Sequence, residues 1–411
     1  MSSTVKLKYL GEFQGGVGFP EHEQGIRGAE YPFYKVKDLG NSKIYLTETD
    51  NYVSKETAKS LGATILESNC IVFAKVGAAL LLQRFRFLSS PGCIDNNMMG
   101  FTVNKKLEHR FVRYSLSNLP FSEIVNPGAV PSLNEEQIKN LEITWFPLHT
   151  QTQIANYLDQ KTAELDQLIG AKQRLLKLLD EKKCALIARA VTRGLNPDVP
   201  LKESGIPWLG MIPTHWQLKR ITTLFKERDE RGRPELPLLV VSIHSGVTLR
   251  EFSNDKIEQQ AADFNTYKVA LKGDISFNKM RMWQGAVGCV PCDGLVSPDY
   301  VVAEPCENIS TDYYGMLFKT PMFSDESACR SHGIVWDRLR LYWDEFKDIS
   351  VPVPSLAEQK SIVVEVNSQQ DKLNKLKSIT EKTIILLQER RTTLISAAVT
   401  GKLGEEVLNA N

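Results

Sequence analysis

The stretches "ALIARAVTRGL" (185–195) and "TLISAAVTGKL" (393–403) are two versions of one helix ending, 393 − 185 = 208 positions apart in a chain of 411 residues. Carried backwards, the same offset holds without a gap to Leu148 and Leu356. Gln151/Gln359, Ile154/Ile362, Leu165/Leu373, Leu168/Leu376, Leu178/Leu386 and Leu179/Leu387 all coincide, and Ala-Val-Thr ends both copies at 190–192 and 398–400. Two unrelated amphipathic helices would share some leucines by chance. They would not readily share the register and the ending.

Each copy reads as one long helix. Leu158, Leu165, Leu179 and Leu186 fall on a seven-residue ladder, with Lys172 as its polar step. Val366, Leu373, Leu387 and Leu394 repeat it, with Thr380 at the equivalent step. A second seam is expected through Ile154, Leu168 and Leu175, and through Ile362 and Leu376. Sustained heptads indicate a coiled coil. The polar steps Lys172 and Thr380 either fix the register of the pair or lie at a partly exposed seam. "FPLHTQTQ" and "VPSLAEQ" supply helix entries, and Gly194 and Gly401 supply exits.

Connectivity then fixes an architecture. The expected class is α+β: two strand-rich globular domains separated by two long antiparallel coiled-coil helices, a pseudo-twofold tandem repeat. The boundaries are a first domain at 1–147, a helix at 148–194, a second domain at 195–355, a helix at 356–403 and a tail at 404–411. The globular halves repeat more faintly. "NCIVFAKVGA" (69–78) parallels "GDISFNKMRMW" (273–283), with Ile71/Ile275, Phe73/Phe277 and Lys75/Lys279 coinciding. "GCIDNNMMGFTV" (92–103) and "GLVSPDYVVAE" (294–304) follow each at a similar distance.

The composition excludes several classes. At 42% hydrophobic and 24% charged, the chain is ordinary globular protein. "VGAALLL" (76–82) is its strongest apolar run, far short of a membrane span, and reads as a buried strand or core segment. The start shows no export signal, and seven scattered cysteines argue against a disulfide framework, so a reducing cytoplasm is expected. The net charge of +1 says nothing about a nucleic-acid partner. Each helix carries eight Lys/Arg against five Asp/Glu (151–193 and 357–403), which leaves the rest of the chain at about −5.

"SGIPWLGMIPTHWQLKR" (204–220) opens the second half, "ISVPVPSLAEQKSIV" (349–363) closes it, and "VTGKL" (399–403) ends its helix. Together with the domain–helix–domain–helix plan, these segments resemble the specificity subunit of type I restriction–modification enzymes, over almost the whole chain. The first half departs from the second: it has no counterpart of "SGIPWLGMIPTHW" and begins at "VKLKYLGEF", comparable to "WQLKRITTLF" (216–225). Its helix entry also lacks the Glu358–Gln359 pair.

The resemblance implies a DNA-reading subunit without a catalytic centre or a cofactor of its own. Each half would be a target-recognition domain reading one part of a split double-stranded DNA site. The helices would act as ruler and as dock for two methyltransferase subunits, which would carry S-adenosylmethionine, and restriction subunits would join that core. No membrane partner is implied. Half-sites on one face of DNA lie near one helical turn apart, about 34–36 Å. Helices of some 45 residues span roughly 65–70 Å, so the domains are expected to lean inward over a gap of several unread base pairs.

With that reading, Lys75 and Lys279 become candidate DNA contacts, followed in the second half by Arg281, Trp283 and Gln284. Arg and Gln can make bidentate contacts to guanine and adenine, and Lys can reach guanine or phosphate. Arg84 and Arg86 in "LLQRFRF" are candidates of the same kind. The plainer reading is a strand with solvent-facing charges. "CVPC" (289–292) has zinc-like spacing but no second ligand pair, so chance cysteines are expected and no metal is assigned. "SPDY" (297–300) and "FQGGVGF" (13–19) resemble the catalytic and cofactor loops of amino-methyltransferases only loosely, and fit turns better. Two rivals stand beside DNA recognition. One is a coiled-coil scaffold joining two protein-binding domains; the other is a self-contained methyltransferase.

Overall fold

Leucine at every seventh position produces two continuous helices, Leu148–Arg193 and Leu356–Val399. The computed structural model describes residues 3–41, 44–126, 130–250, 264–333 and 339–403; the tail 404–411 lies outside the described residues. The chain divides into two compact units, residues 1–173 with 382–411 and residues 174–381. Each unit therefore owns one strand-rich part and half of each long helix.

Within each unit the half-helices run antiparallel. In the second, Lys377 Nζ donates to Asp180 at 2.8 Å and Lys183 Nζ to Asn374 at 3.2 Å, so partners advance on one helix as they retreat on the other. In the first, Arg391 pairs with Asp166 at 3.0 Å, while Ile154 and Leu158 share a core with Ile395 and Val399. The primary ladder faces inward: Leu158, Leu165, Leu179 and Val366 are buried, and Leu186, Leu373, Leu387 and Leu394 partly so.

The second seam is only half right. Ile154 and Ile362 are buried, but Leu168 and Leu376 are 51% and 43% exposed. From the buried Leu165, a step of four rather than three keeps to the inner face, and Ile169 is the more buried residue there. Leu168 and Leu376 point outward instead.

Thr380 is buried, and its hydroxyl donates to the Leu376 carbonyl one turn back at 2.8 Å. Its polarity is satisfied inside its own helix, so it places no constraint on register. Thr380→Val is expected to change stability by no more than about 1 kcal/mol in either direction. Urea denaturation checks this; a larger loss would make Thr380 a register-fixing residue after all.

The strand-rich parts share one sheet plan. In the first unit the strands run Gly11–Gly15, Met98–Val103, Ile71–Ala74, Arg86–Leu88, Tyr45–Leu46. In the second the order is Phe225–Glu227, Tyr300–Pro305, Ile275–Asn278, Val287–Cys289. The segments paired by sequence occupy equivalent strands: Phe73 lies opposite Met99, and Phe277 opposite Val301. Short two-stranded pairs, Thr4–Lys6 with Glu142–Thr144 and Gln217–Arg220 with Ser350–Val353, tie each domain's start to the strand before its helix. The run 76–82 corrects its sequence reading. It contains a one-turn helix, Ala78–Leu81, with Leu80 buried and Leu81 and Leu82 exposed.

Each long helix enters through the same joint. Gln151 accepts the Glu108 N–H at 3.1 Å and donates to the Phe146 carbonyl at 2.8 Å. Gln359 accepts the Ser310 N–H at 2.8 Å and donates to the Pro354 carbonyl at 2.9 Å. Both side chains are buried. Each helix also leaves alike, through glycines at φ 75° (Gly194) and 74° (Gly401), a left-handed turn that favours glycine. An aromatic ring faces each exit, Trp216 at Gly194 and Phe146 at Gly401.

The departure in the second half has a structural role. Residues 195–216 include a hairpin, Leu201–Glu203 with Met211–Pro213, and end on Trp216. Trp216 Nε1 donates to Glu358 at 3.0 Å, and His215 Nε2 lies 3.1 Å from the same carboxylate. Glu358 answers this extra segment, and the first half has neither.

Candidate nucleic-acid interface

The turn after the central strand is built alike in both units. The Lys75 carbonyl accepts the Leu133 N–H at 2.9 Å, and the Lys279 carbonyl accepts that of Leu341 at 3.0 Å. Each chain then makes a single helical turn, Ala78–Leu81 or Met282–Gln284, around a buried residue, Leu80 or Met282. A left-handed residue closes each turn: Gln83 at φ 48° and Gly285 at φ 83°. Glycine takes that conformation freely; glutamine does so under strain. Gln83 is held there by donating to the Leu119 carbonyl at 2.9 Å.

In the second unit this turn gathers the residues singled out by sequence. Arg281 and Gln284 are exposed, and Trp283 packs back with Nε1 donating to the Met280 carbonyl at 3.0 Å. The Lys279 ammonium stands 5.8 Å from the centre of the Tyr342 ring, a cation–π distance. Burial raises the Tyr300 hydroxyl above its ordinary range, while a hydrogen bond with Asn278 and the charges of Arg250 and Arg281 pull it back. Arg340 reaches to 3.9 Å from the Met280 sulfur. Asn278, Tyr300, Arg340 and Tyr342 thus join the sequence-derived set. "RLYW" (340–343) carried the only signal for the last two, a cation beside aromatics.

Such a surface has guanidinium and amide groups for base edges, an ammonium for phosphate, and aromatic faces for stacking.

The first unit is different. Lys75 Nζ reaches over Gly15, where an added Cβ would stand 3.4 Å away. Arg84 turns towards Gly40, and Arg86 is half-buried in its strand, with Nη1 donating to the Phe85 carbonyl at 3.2 Å. Burial, with repulsion from Arg113, Arg84 and Arg391, pushes the Arg86 guanidinium down to about 10. Where the second unit presents Trp283 and Gln284, this one presents Leu81 and Leu82. An apolar tip can contact thymine methyls but donates no hydrogen bond.

The remaining motifs resolve into ordinary structure. Burial pushes the Cys289 thiol up to about 11, so it is not a ready thiolate, and its sulfur lies 3.3 Å from the Thr311 hydroxyl. Among the described residues no group of three or more His, Cys, Asp or Glu side chains is placed to hold a metal ion. "SPDY" makes a turn in which Ser297 accepts the Asp299 N–H, and "FQGG" completes an edge strand. A Cβ on Gly16 would stand 2.0 Å from the Asp95 carbonyl oxygen, so close backbone approach explains that glycine. Among the described residues no helix is long and apolar enough to cross a membrane.

Known proteins of similar sequence and fold bear on this arrangement. Residues 2–177 match the type I restriction modification DNA specificity domain. The specificity subunit described for type I restriction enzyme MjaX of Methanocaldococcus jannaschii is 25% identical over 197 residues, 46% of this chain and 44% of that protein. The MjaVIII specificity subunit of the same organism is 26% identical over 138 residues, 33% of this chain and 31% of that one. The matched region thus spans less than half the length of these curated relatives. A chain from a structure of complex assembly and conformational transition in the type I R-M system superposes with a TM-score of 0.69, at 12% identity and 98% coverage of both chains. The HsdS subunit from Thermoanaerobacter tengcongensis gives 0.54, also at 12% identity, covering 98% of this chain and 97% of that one. In its first half the chain is thus similar to the type I restriction modification DNA specificity domain, and over nearly its whole length it has the fold of an HsdS subunit.

Proposed function

We propose that this protein is the DNA-recognition subunit of a type I restriction–modification enzyme, reading a bipartite target with a fixed unread gap and carrying no catalytic centre. The observation that carries the reading is the duplicated joint: one buried glutamine, Gln151 or Gln359, locks each domain to its own long helix by equivalent hydrogen bonds. A reader fixed to a rigid spacer twice over recognises two short sequences at a set distance. The turns after Lys75 and Lys279 are the proposed readers, with Lys75, Arg84 and Arg86 serving the first domain and Lys279, Arg281, Trp283 and Gln284 the second.

The helices are the proposed dock for two methyltransferase subunits, which bring S-adenosylmethionine; restriction subunits join that core. Exposed leucines support a duplicated dock. Leu178 and Leu386 are 59% and 62% exposed, and like Leu168 and Leu376 they are repeat partners. Apolar side chains left in water at the same place in both copies suit two copies of one partner. A bare scaffold would also expose such leucines, but it would have no use for the basic and aromatic turn at 279–284.

Replacing Arg281 and Gln284 with alanine is expected to relax one half-site and leave the other intact, since each bidentate base contact discriminates by about 1–3 kcal/mol. Mapping methylated positions genome-wide in cells carrying the complex reads this directly. Unchanged specificity in both half-sites would remove the turn from the reading surface.

A further inference from the structure

The two turns after Lys75 and Lys279 stand on one frame but end in opposite chemistry. The segment "VGAALLL" (76–82), which forms the first unit's turn, contains no side chain able to make a hydrogen bond. At its end Leu81 and Leu82 are 46% and 57% exposed. A second loop adds to them. The Gly77 N–H donates to the Pro131 carbonyl at 2.8 Å, one residue from Val130, which is as exposed as Leu82. The Asn126 N–H donates to the Ser132 carbonyl at 2.9 Å and closes that loop at its base. In the second unit the matching loop closes where His332 and Arg340 exchange backbone hydrogen bonds at 2.9 Å. From its end Arg340 and Tyr342 reach Met280 and Lys279, beside the turn that carries Arg281, Trp283 and Gln284.

Single exposed leucines are common on protein surfaces. These two sit on a turn that is held rigid. Leu80 anchors it in the core, the Leu80 N–H donates to the Gly77 carbonyl at 3.0 Å, and the Gln83 N–H donates to the Leu80 carbonyl at 3.1 Å. Gln83 keeps its left-handed backbone while its side chain holds the Leu119 carbonyl. A tip ordered in advance loses little entropy when it meets a partner. The nearby cations are directed elsewhere, Lys75 over Gly15 and Arg84 towards Gly40. What the tip offers a base pair is therefore apolar contact. In the major groove thymine alone presents a methyl group for such contact.

We propose that Leu81, Leu82 and Val130 determine specificity in the first domain by packing on thymine 5-methyl groups. This half-site is then read through methyl contact, and the other through hydrogen bonds. The inference rests on the DNA-recognition reading above and adds the chemistry of one half-site, which must contain thymine on one strand or the other.

The test uses the complex with its methyltransferase and the duplexes that this complex retains from a randomised pool. The half-site relaxed by alanine at Arg281 and Gln284 belongs to the second domain, and the remaining one to the first. Each thymine of that first half-site is replaced by uracil, which removes the methyl and keeps every hydrogen-bonding group. Wild-type binding should weaken about fourfold for each contacted methyl. The double variant Leu81→Ser/Leu82→Ser should bind thymine and uracil duplexes alike, because the coupling between side chain and methyl is gone. Both leucines are exposed, so its thermal unfolding midpoint should match that of the wild type; if it does not, Val130→Ser decides by the same comparison. A first half-site without thymine, uracil that costs nothing there, or a variant as sensitive to uracil as the wild type overturns the proposal and leaves the DNA-recognition reading standing. Loss of methyltransferase binding by the double variant also overturns it and makes the tip a protein contact. If the wild-type complex enriches no DNA sequence, the recognition reading itself falls and takes this proposal with it.

Discussion

Lengthening both long helices by seven residues, at the unit boundaries near Arg174 and Lys382, is expected to shift methylation to targets with a wider unread gap and unchanged half-sites. Seven residues are two turns at the coiled-coil period, so the inward ladder of Leu165, Leu179, Leu373 and Leu387 stays in phase. They add about 10 Å of helix, which is at most about three base pairs along DNA. Each added base pair also turns the second half-site by roughly 35° about the duplex axis. Total methylation should therefore fall even where specificity is kept. Sequencing of methylated DNA reads both quantities. New half-site sequences would mean that the helices themselves read bases, and the division between ruler and readers would be wrong.

Gln359→Leu is expected to destabilise the protein by about 2–4 kcal/mol, and Gln151→Leu by a similar amount. Among the described residues each glutamine is the sole hydrogen-bond partner of a backbone N–H, of Ser310 or Glu108, and it also satisfies the Pro354 or Phe146 carbonyl. Leucine fills nearly the same space but strands both groups in a site the side chain already excludes from water. Apolar burial by leucine offsets part of the loss, which keeps the figure below the full cost of two orphaned groups. Denaturant unfolding of both single variants measures it. A change under about 0.5 kcal/mol in either would show that the joint is not what fixes domain to helix.

Much of the architecture was legible because it is periodic. The seven-residue ladder and the 208-residue offset carry both helices, their entries and their exits. The glutamines at 151 and 359 stood out as identities, though nothing in the sequence told of their hydrogen bonds. The seam through Leu168 and Leu376 was misread because a step of three and a step of four are both permitted from Leu165, and only packing selects between them.

The strand-rich parts were less legible for a different reason. Their strands are two to six residues long, and their pairing depends on distant partners, as where the Leu7 N–H meets the Leu141 carbonyl. No local pattern encodes such a contact. The apolar run 76–82 looked buried because its composition is apolar, yet only Leu80 of its three leucines faces the core. Arg113 is the converse case: in "HRFVRYSLS" it reads as the wet side of a short amphipathic helix, yet it is buried. Of the second-domain candidates, Lys279, Arg281, Trp283 and Gln284 share one turn because they are consecutive or nearly so. Tyr300, Arg340 and Tyr342 reach them only through the fold.

The most direct measurement is to bind the protein, with its methyltransferase partner, to a pool of randomised duplexes and sequence what is retained. The account predicts two short motifs at one fixed spacing, with little preference in between. Binding of the partner without enrichment of any DNA sequence would contradict it, and would leave the duplicated helices as a scaffold rather than a ruler.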